Sequence, residues 1–461
     1  MTDTPRIVIV GAGPAGIRAA ETLVAAGLRP IVVDEGARAG GQIYRRPPPG
    51  FTRPAETLYG SEAPKAQALH SLFDRLATTG AVEHLAESSV LAIDRAEGLH
   101  VLTPTGRRVV PCDRLILATG ATDRLVPVPG WQSPGVYSLG AAQIALKAQG
   151  IALGQRLVLA GSGPLLTLVA LQLVKAGADV AAVLDTAPMS AQAAGLTGLM
   201  ARPAFALRGL AMRARLGRLY HSGVTLKKIE ADARGVTAIL WTAASGAERR
   251  TECDMVGLGW HLRAETQLAG LAGCAFDYNE TWAQWLPRAD RLGRAREGLY
   301  LAGDGLRILG ADGAEVSGRL AATACLQDLD MPAPDPVADL KRLATLERFA
   351  LGLARAFPWP ADHLRTLPDA TVVCRCEGVT AGELRATADY GGPEANRVKS
   401  LGRVGMGRCQ GRYCQLAGAD LIASHAQITT AAVGRLREQA PIRPAPVGAW
   451  VKGPPDTAGS D

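Results

Sequence analysis

The chain has 461 residues, 48% of them hydrophobic and 20% charged, with a formal net charge of +7. At about 150 residues per domain this is room for roughly three cored domains. The composition excludes disorder and a collagen repeat, and the longest apolar tract, Leu157 to Leu184, is broken by Gly161, Gly163, Pro164, Lys175 and Asp179, which excludes a spanning helix. The arginines are scattered and not interleaved with aromatics, so nucleic acid is not an expected partner. No signal peptide precedes Arg6, and the expected location is the cytoplasm.

The first predicted strand, residues 6–10, is a continuous apolar run, as a strand buried on both faces should be. Gly11-Ala12-Gly13-Pro14-Ala15-Gly16 follows, then a helix to Ala26, a strand over Pro30 to Val33, and the acids Asp34 and Glu35. Strand, glycine loop, helix, strand and acid in this order form a dinucleotide fingerprint. Gly11 permits the turn, Gly13 lets a pyrophosphate approach the backbone, and Gly16 lets helix and strand pack closely. Spacing favours Asp34 as the ribose acid, with Glu35 as the near alternative. Downstream come Gly40-Gly41-Gln42, a strand over Arg114 to Leu117 that leads into Thr119-Gly120, and a late strand that ends in Gly303-Asp304.

With these motifs in this order, residues 6 to about 328 resemble the two-dinucleotide-binding flavoproteins, the glutathione and thioredoxin reductase relatives. The resemblance implies FAD, held by Gly11, Gly13, Pro14, Ala15, Gly16, Asp34 or Glu35, Gly41, Gln42, Thr119, Gly120, Gly303 and Asp304. It places Asp304 on the ribityl chain and a helix over Ala314 to Cys325 near the flavin pyrimidine ring.

A second strand-loop-helix begins at Arg156 with Gly161-Ser162-Gly163-Pro164-Leu165-Leu166, and its next strand ends at Asp185. Leu166 stands where the fingerprint needs a third small residue, and no arginine cluster after Asp185 marks a 2′-phosphate site. A bound nucleotide that never reacts, on Gly161, Gly163 and Asp185, or a vestigial fold is favoured over a working NAD(P)H site. The flavin half has no paired cysteines, because Cys112, Cys253, Cys274 and Cys325 lie far apart; they are expected to be small buried hydrophobes, and dithiol chemistry is excluded. Residues 187–218, with Arg202, Arg208, Arg213, Arg215 and Arg218, are expected to form a helical insertion whose basic face is either simply solvated or docks a partner. Lone His221, His261 and Tyr278 read as structural rather than catalytic.

A proline-rich linker begins at Met331 and a helix follows over Val337 to Phe357. A strand from Thr371 then delivers Cys374-Arg375-Cys376-Glu377, Thr380 caps a helix from about Ala381, and Gly405-Met406-Gly407 precedes Cys409-Gln410-Gly411-Arg412-Tyr413-Cys414. Two close cysteine pairs on loops can present four thiolates to one centre, zinc or iron–sulfur. Structural zinc sites usually use CxxC knuckles, so CxC with CxxxxC favours iron. The segment resembles bacterioferritin-associated-ferredoxin-like domains, which implies a 2Fe–2S cluster on Cys374, Cys376, Cys409 and Cys414.

The combination resembles the FAD/2Fe–2S large subunit of heteromeric amino-acid dehydrogenases, the group of hydroxyproline and proline dehydrogenases, opine oxidases and hydrogen cyanide synthase. That resemblance implies electron transfer between flavin and cluster. It also implies a second FAD subunit that oxidises the amine, a small ferredoxin-like subunit, peripheral membrane association only through the complex, and, as in some relatives, a non-reacting adenine nucleotide (ATP) in the second nucleotide domain. The alternatives are a self-contained NAD(P)H-dependent flavin reductase feeding the cluster and an iron-binding module on a non-catalytic flavoprotein body. The expected fold is α/β: a discontinuous FAD domain (1–122 and 246–330), an inserted nucleotide domain (123–245), a linker and helix (331–370), a small α-rich 2Fe–2S domain (371–430) and a C-terminal tail (431–461).

Overall fold

A computed structural model describes residues 5–94 and 96–451. The first domain is built on a six-stranded sheet in the order Arg294–Arg296, Leu299–Leu301, Arg114–Leu117, Ile7–Val10, Ile31–Val33, Glu83–Leu85. The last five run parallel and only the Arg294–Arg296 edge is antiparallel. Ile7 to Val10 are all buried because both faces of the sheet are covered. One face carries the helices Pro14–Ala25 and Gly310–Gln327, joined through alanines. The other carries the antiparallel sheet of Ser89–Asp94, Gly98–Thr103 and Gly106–Val110.

The second domain repeats the plan. Its parallel sheet runs Tyr220–Ser222, Asp179–Asp185, Arg156–Ser162, Met255–Trp260, Val136–Ser138, beside a three-stranded antiparallel sheet that ends in Glu248–Glu252. The two passages between the domains, Ala121–Asp123 and Leu262–Ala264, pair with each other. The return to the first domain therefore follows Trp260 and does not occur at 246. Strands Glu248–Glu252 and Met255–Trp260 are tied by ladders to the inserted domain, and the all-apolar face of the latter completes its core.

The third unit holds the short strands Val372–Cys374 and Val379–Thr380 and the helices Ala381–Gly391, Ala395–Gly402, Gln415–Ala426 and Thr430–Val433 around their own core. Thr380 accepts from the Glu383 N–H while the Glu383 carboxylate accepts from the Thr380 N–H, a reciprocal cap that fixes where this unit's first helix starts.

Two further expectations change. Residues 187–218 are helical, as Met189–Ala194, Leu196–Leu199 and Pro203–Leu216, but they do not present a free basic face. Arg202 pairs with Asp312, Arg208 with Glu62, and Arg213 with Gln192 and Asp185, so three of the five arginines are satisfied within the chain. Meanwhile Met189, Leu196, Met200, Leu207 and Leu210 are exposed. The segment after 430 is not a loose tail as far as residue 443. Leu436 is buried in the third unit and Ile442 in the first domain, where its N–H donates to the Leu91 carbonyl. The part of that expected tail from 452 onward lies outside the described residues. Among the described residues no helix is long and apolar enough to cross a membrane.

Candidate functional site

The first glycine loop leaves strand Ile7–Val10 and enters helix Pro14–Ala25 with Pro14 at its first turn, where a missing N–H costs nothing. A Cβ on Gly16 would lie 1.8 Å from the Gly11 carbonyl oxygen, so helix and loop touch backbone to backbone. Gly13 differs: its backbone is unstrained and a Cβ there would meet only Gly41, at 3.7 Å. The protein itself does not require glycine at 13, which fits a cradle whose space is taken by a ligand phosphate at the helix N-terminus.

Asp34 and Glu35 have separate tasks. The Asp34 carboxylate accepts from the N–H groups of Ala12 (2.6 Å) and Gly36 (2.7 Å), one from each loop. Burial pushes its carboxyl above the ordinary range and those two N–H groups pull it back. Glu35 is half exposed and reaches outward to Arg443 and Ser89. Both acids thus carry hydrogen bonds on both oxygens, and Asp34, the residue that spacing favours, stays part-exposed beside the glycine loop.

Gly41 faces Gly13 from the next loop, and beside it Gln42 accepts from Arg45. Gly303 sits over Ala15, with its Cβ position 3.0 Å from the Ala15 Cβ. Asp304 Oδ1 accepts from Leu309 (2.9 Å) and Gly310 (3.0 Å), which starts helix Gly310–Gln327 several residues before Ala314. Burial raises the Asp304 carboxyl, and among the described residues Oδ2 has no hydrogen-bond partner. Thr119 donates to the Glu265 carbonyl at 2.6 Å, and Gly120 adjoins it. Lys147 was missed from the sequence. It lies buried with its Nζ 3.1 Å from the Ile43 carbonyl, and burial lowers its pKa to about 8.

The second loop is closed by the chain. Leu166 is fully buried in the core of its own domain, so the third-glycine position has become a packing position. His261, at a left-handed φ of 60°, lays its ring over Gly163, whose Cβ position would be 3.1–3.3 Å from it. Phe357 and Trp282 pack around that ring, with centroids at 5.8 and 6.4 Å. Asp185 is 1% exposed; it accepts from Tyr220 and from the Ala187 N–H (2.9 Å) and lies 3.6 Å from Arg213. Its carboxylate is turned to internal partners. His221 lies tilted against Trp241, and Tyr278 meets Trp285 edge to face.

The four clustered cysteines line one cavity of about 300 Å³, with Leu125, Val136, Tyr137, Ser138, Arg375 and Tyr413. Their thiols meet in two pairs, Cys374 with Cys414 and Cys376 with Cys409. The Cys414 hydrogen bond, helped by N–H groups of Gly405, Glu377 and Cys376, lowers Cys374 to about 6 against its burial. Cys414, hydrogen-bonded to Cys374, is raised, burial raises Cys376, and burial likewise raises the isolated Cys112, Cys253 and Cys325 to about 12 and Cys274 to about 11. Among the described residues no three His, Cys, Asp or Glu side chains are arranged to hold a metal ion. Gly407 lets the loops close, since a Cβ there would lie 2.3 Å from the Cys376 Cβ.

The cysteine loop is fastened to the first domain. Arg412 pairs with Glu265 at 2.8 Å, both buried. Gln267 donates to the Gln410 carbonyl at 2.9 Å and Arg263 to that of Arg412. Glu265 therefore joins Thr119 of the glycine-loop side to Arg412 of the cysteine side.

Residues 5–325 match the family model described as pyridine nucleotide-disulphide oxidoreductase. An opine oxidase subunit of Rhizobium meliloti is 36% identical over 95% of this chain and 85% of that protein. Hydrogen cyanide synthase subunit HcnB of Pseudomonas aeruginosa is 31% identical over 96% of this chain and 98% of its own. Among solved structures, L-proline dehydrogenase from P. horikoshii superposes with a TM-score of 0.70 over 97% of this chain and 79% of that one, at 18% identity.

Proposed function

The chain belongs to the pyridine nucleotide-disulphide oxidoreductase family, and from that membership we propose that it is the electron-transfer subunit of a heteromeric dehydrogenase for an amino or imino acid, with FAD and a 2Fe–2S cluster. The family supports FAD, and the cradle around Gly13, Gly41, Thr119, Gly120, Gly303 and Asp304, with Asp34 or its neighbour Glu35 for the ribose, would hold it. Cys374, Cys376, Cys409 and Cys414 would hold the cluster. When bound, the flavin supplies two-electron chemistry and the cluster one-electron chemistry. The observation that carries the reading is the Glu265 junction, where one residue accepts from Thr119 through its carbonyl and from Arg412 through its carboxylate.

The chain's own residues then do three things. Arg412 and Gln267 hold the cysteine loop on the flavin domain, backbone N–H groups around Cys374 stabilise thiolate, and His261 with Phe357 covers the second glycine loop. That cover speaks against the self-contained NAD(P)H reductase and leaves ATP no open ribose acid. The opine oxidase and hydrogen cyanide synthase relatives are both named as subunits, which supports a second, amine-oxidising flavoprotein partner; an opine, proline or hydroxyproline is the proposed substrate class. A small ferredoxin-like subunit completes the proposal.

The test is anaerobic reduction of the flavin. The chain alone should stay oxidised with NADH, NADPH and each amino acid, whereas the chain co-purified with its flavoprotein partner should bleach with one of the amino acids. Full-rate reduction of the isolated chain by a nicotinamide nucleotide would select the reductase instead.

A further inference from the structure

The helices Met189–Ala194, Leu196–Leu199 and Pro203–Leu216 are firmly seated on their inner side. A Cβ on Gly198 would lie 2.6 Å from the Gly352 Cα, so this helix meets helix Val337–Ala356 backbone to backbone. Phe205 meets Phe349 edge to face at 5.5 Å, and Leu216 is buried in the core of the nucleotide domain. Arg202, Arg208 and Arg213 are drawn inward to Asp312, Glu62 and Asp185. The outer side has no such cover. Leu207 and Leu210 are 65% and 59% exposed, and Ala211 and Ala214 are exposed beside them. Positions 207, 210, 211 and 214 follow the i, i+3, i+4, i+7 pattern of a helix face made for burial, yet this one faces out. Leu196 and Met200, one turn apart on the preceding segment, are equally exposed.

We propose that this outer side is the interface for the amine-oxidising flavoprotein subunit, which meets it with an apolar surface bordered by carboxylates. The inference rests on the functional reading above for the identity of the partner. Exposed apolar patches bordered by polar groups mark association sites, and interface cores are poor in charge and rich in large apolar side chains and Arg. Two other occupants fit less well. A lipid surface is held by cations turned outward beside the apolar stripe, whereas this fold turns three of the five arginines of the segment inward. A second copy of the chain would lay the patch on itself. Residues 186–229 contain no Asp or Glu, so the exposed Arg215 and Arg218, which have no ion pair or hydrogen bond among the described residues, would find no acid in that contact. The charge of the patch therefore calls for a different chain that brings the acids. Two of the similar proteins are themselves named as subunits.

The experiment co-expresses the full chain with the amine-oxidising flavoprotein and measures the dissociation constant of the complex by sedimentation at low and high salt. Melting temperature and FAD content of the chain are followed alongside. Leu207→Glu combined with Leu210→Glu should weaken the complex about a hundredfold, as for two buried apolar anchors. Arg215→Glu combined with Arg218→Glu should weaken it about tenfold at low salt and remove most of its salt dependence. Melting temperature and FAD content should not change in either variant, because all four side chains are exposed, and the arginine variant keeps the test valid if the leucine variant folds poorly. A wild-type chain that associates with no amine-oxidising flavoprotein contradicts the functional reading itself. A wild-type complex that both variants form equally tightly overturns the interface alone. If the leucine variant keeps the heteromeric complex but loses self-association, or loses binding to phosphatidylglycerol vesicles, the choice of occupant is overturned.

Discussion

Asp34 and Glu35 show how far adjacent residues of like chemistry can differ. Spacing in the sequence cannot tell them apart, because both follow the strand Ile31–Val33 directly; the backbone N–H groups of Ala12 and Gly36, which claim Asp34, come from two separate loops. Asp34→Ala should leave both donors buried and unpaired and cost about 2–5 kcal/mol in stability, measured by denaturant unfolding. Glu35→Ala, at a half-exposed side chain, should leave stability within about 0.5 kcal/mol. His261 carries a pH dependence with a definite sign. Burial and the neighbouring Arg124 hold its imidazole down to about 4, below the ordinary value near 6.5. As pH falls through 6.5 the unfolded chain takes up a proton that the folded chain refuses, so this stability is present above 6.5 and is lost toward pH 4. His261→Asn, which suits the left-handed backbone, should flatten that acid-side decline in a series of melting temperatures.

Elements were more legible than side-chain tasks. The two glycine loops and their helices announce themselves by apolar strands and glycine spacing, and the Thr380 cap stands in the sequence as Thr-x-x-Glu. What stayed hidden depends on contacts between distant segments. The return after Trp260 follows from strand ladders, and the inward turn of Arg202, Arg208 and Arg213 follows from acids at 312, 62 and 185. Gly318 is another such case. Helix Gly310–Gln327 crosses helix Pro14–Ala25 there, and a Cβ would lie 2.1 Å from the Ala15 carbonyl. Gly318→Val should force the two helices apart, cost about 3 kcal/mol or more by overpacking, and abolish FAD retention, checked by unfolding and by flavin absorbance. Gly407→Ala tests the opposite end of the molecule: its methyl group competes with Cys376, so the purified protein should lose most of its iron yet keep FAD.

At the scale of the whole molecule, the first two domains supply a flavin cradle and a covered second fold, and the third supplies four thiols brought to the first through Glu265. The buried Arg412–Glu265 pair is a costly way to join units, since removing one partner strands a charge, at about 3–5 kcal/mol; Glu265→Gln should therefore loosen the cysteine loop. The four cysteines were legible from spacing because they are local in sequence, whereas their attachment to the flavin side was not, being a contact between residues 265 and 412. The central claim is that one chain unites a flavin with a 2Fe–2S centre. Metal, sulfide and flavin analysis of anaerobically purified full-length protein, with electron paramagnetic resonance after dithionite reduction, tests it most directly. The account predicts about two irons and two sulfides per chain, one FAD, and the paramagnetic signal of a reduced 2Fe–2S cluster that Cys409→Ser abolishes without loss of flavin. Zinc in place of iron, or flavin with no cluster signal, would contradict it.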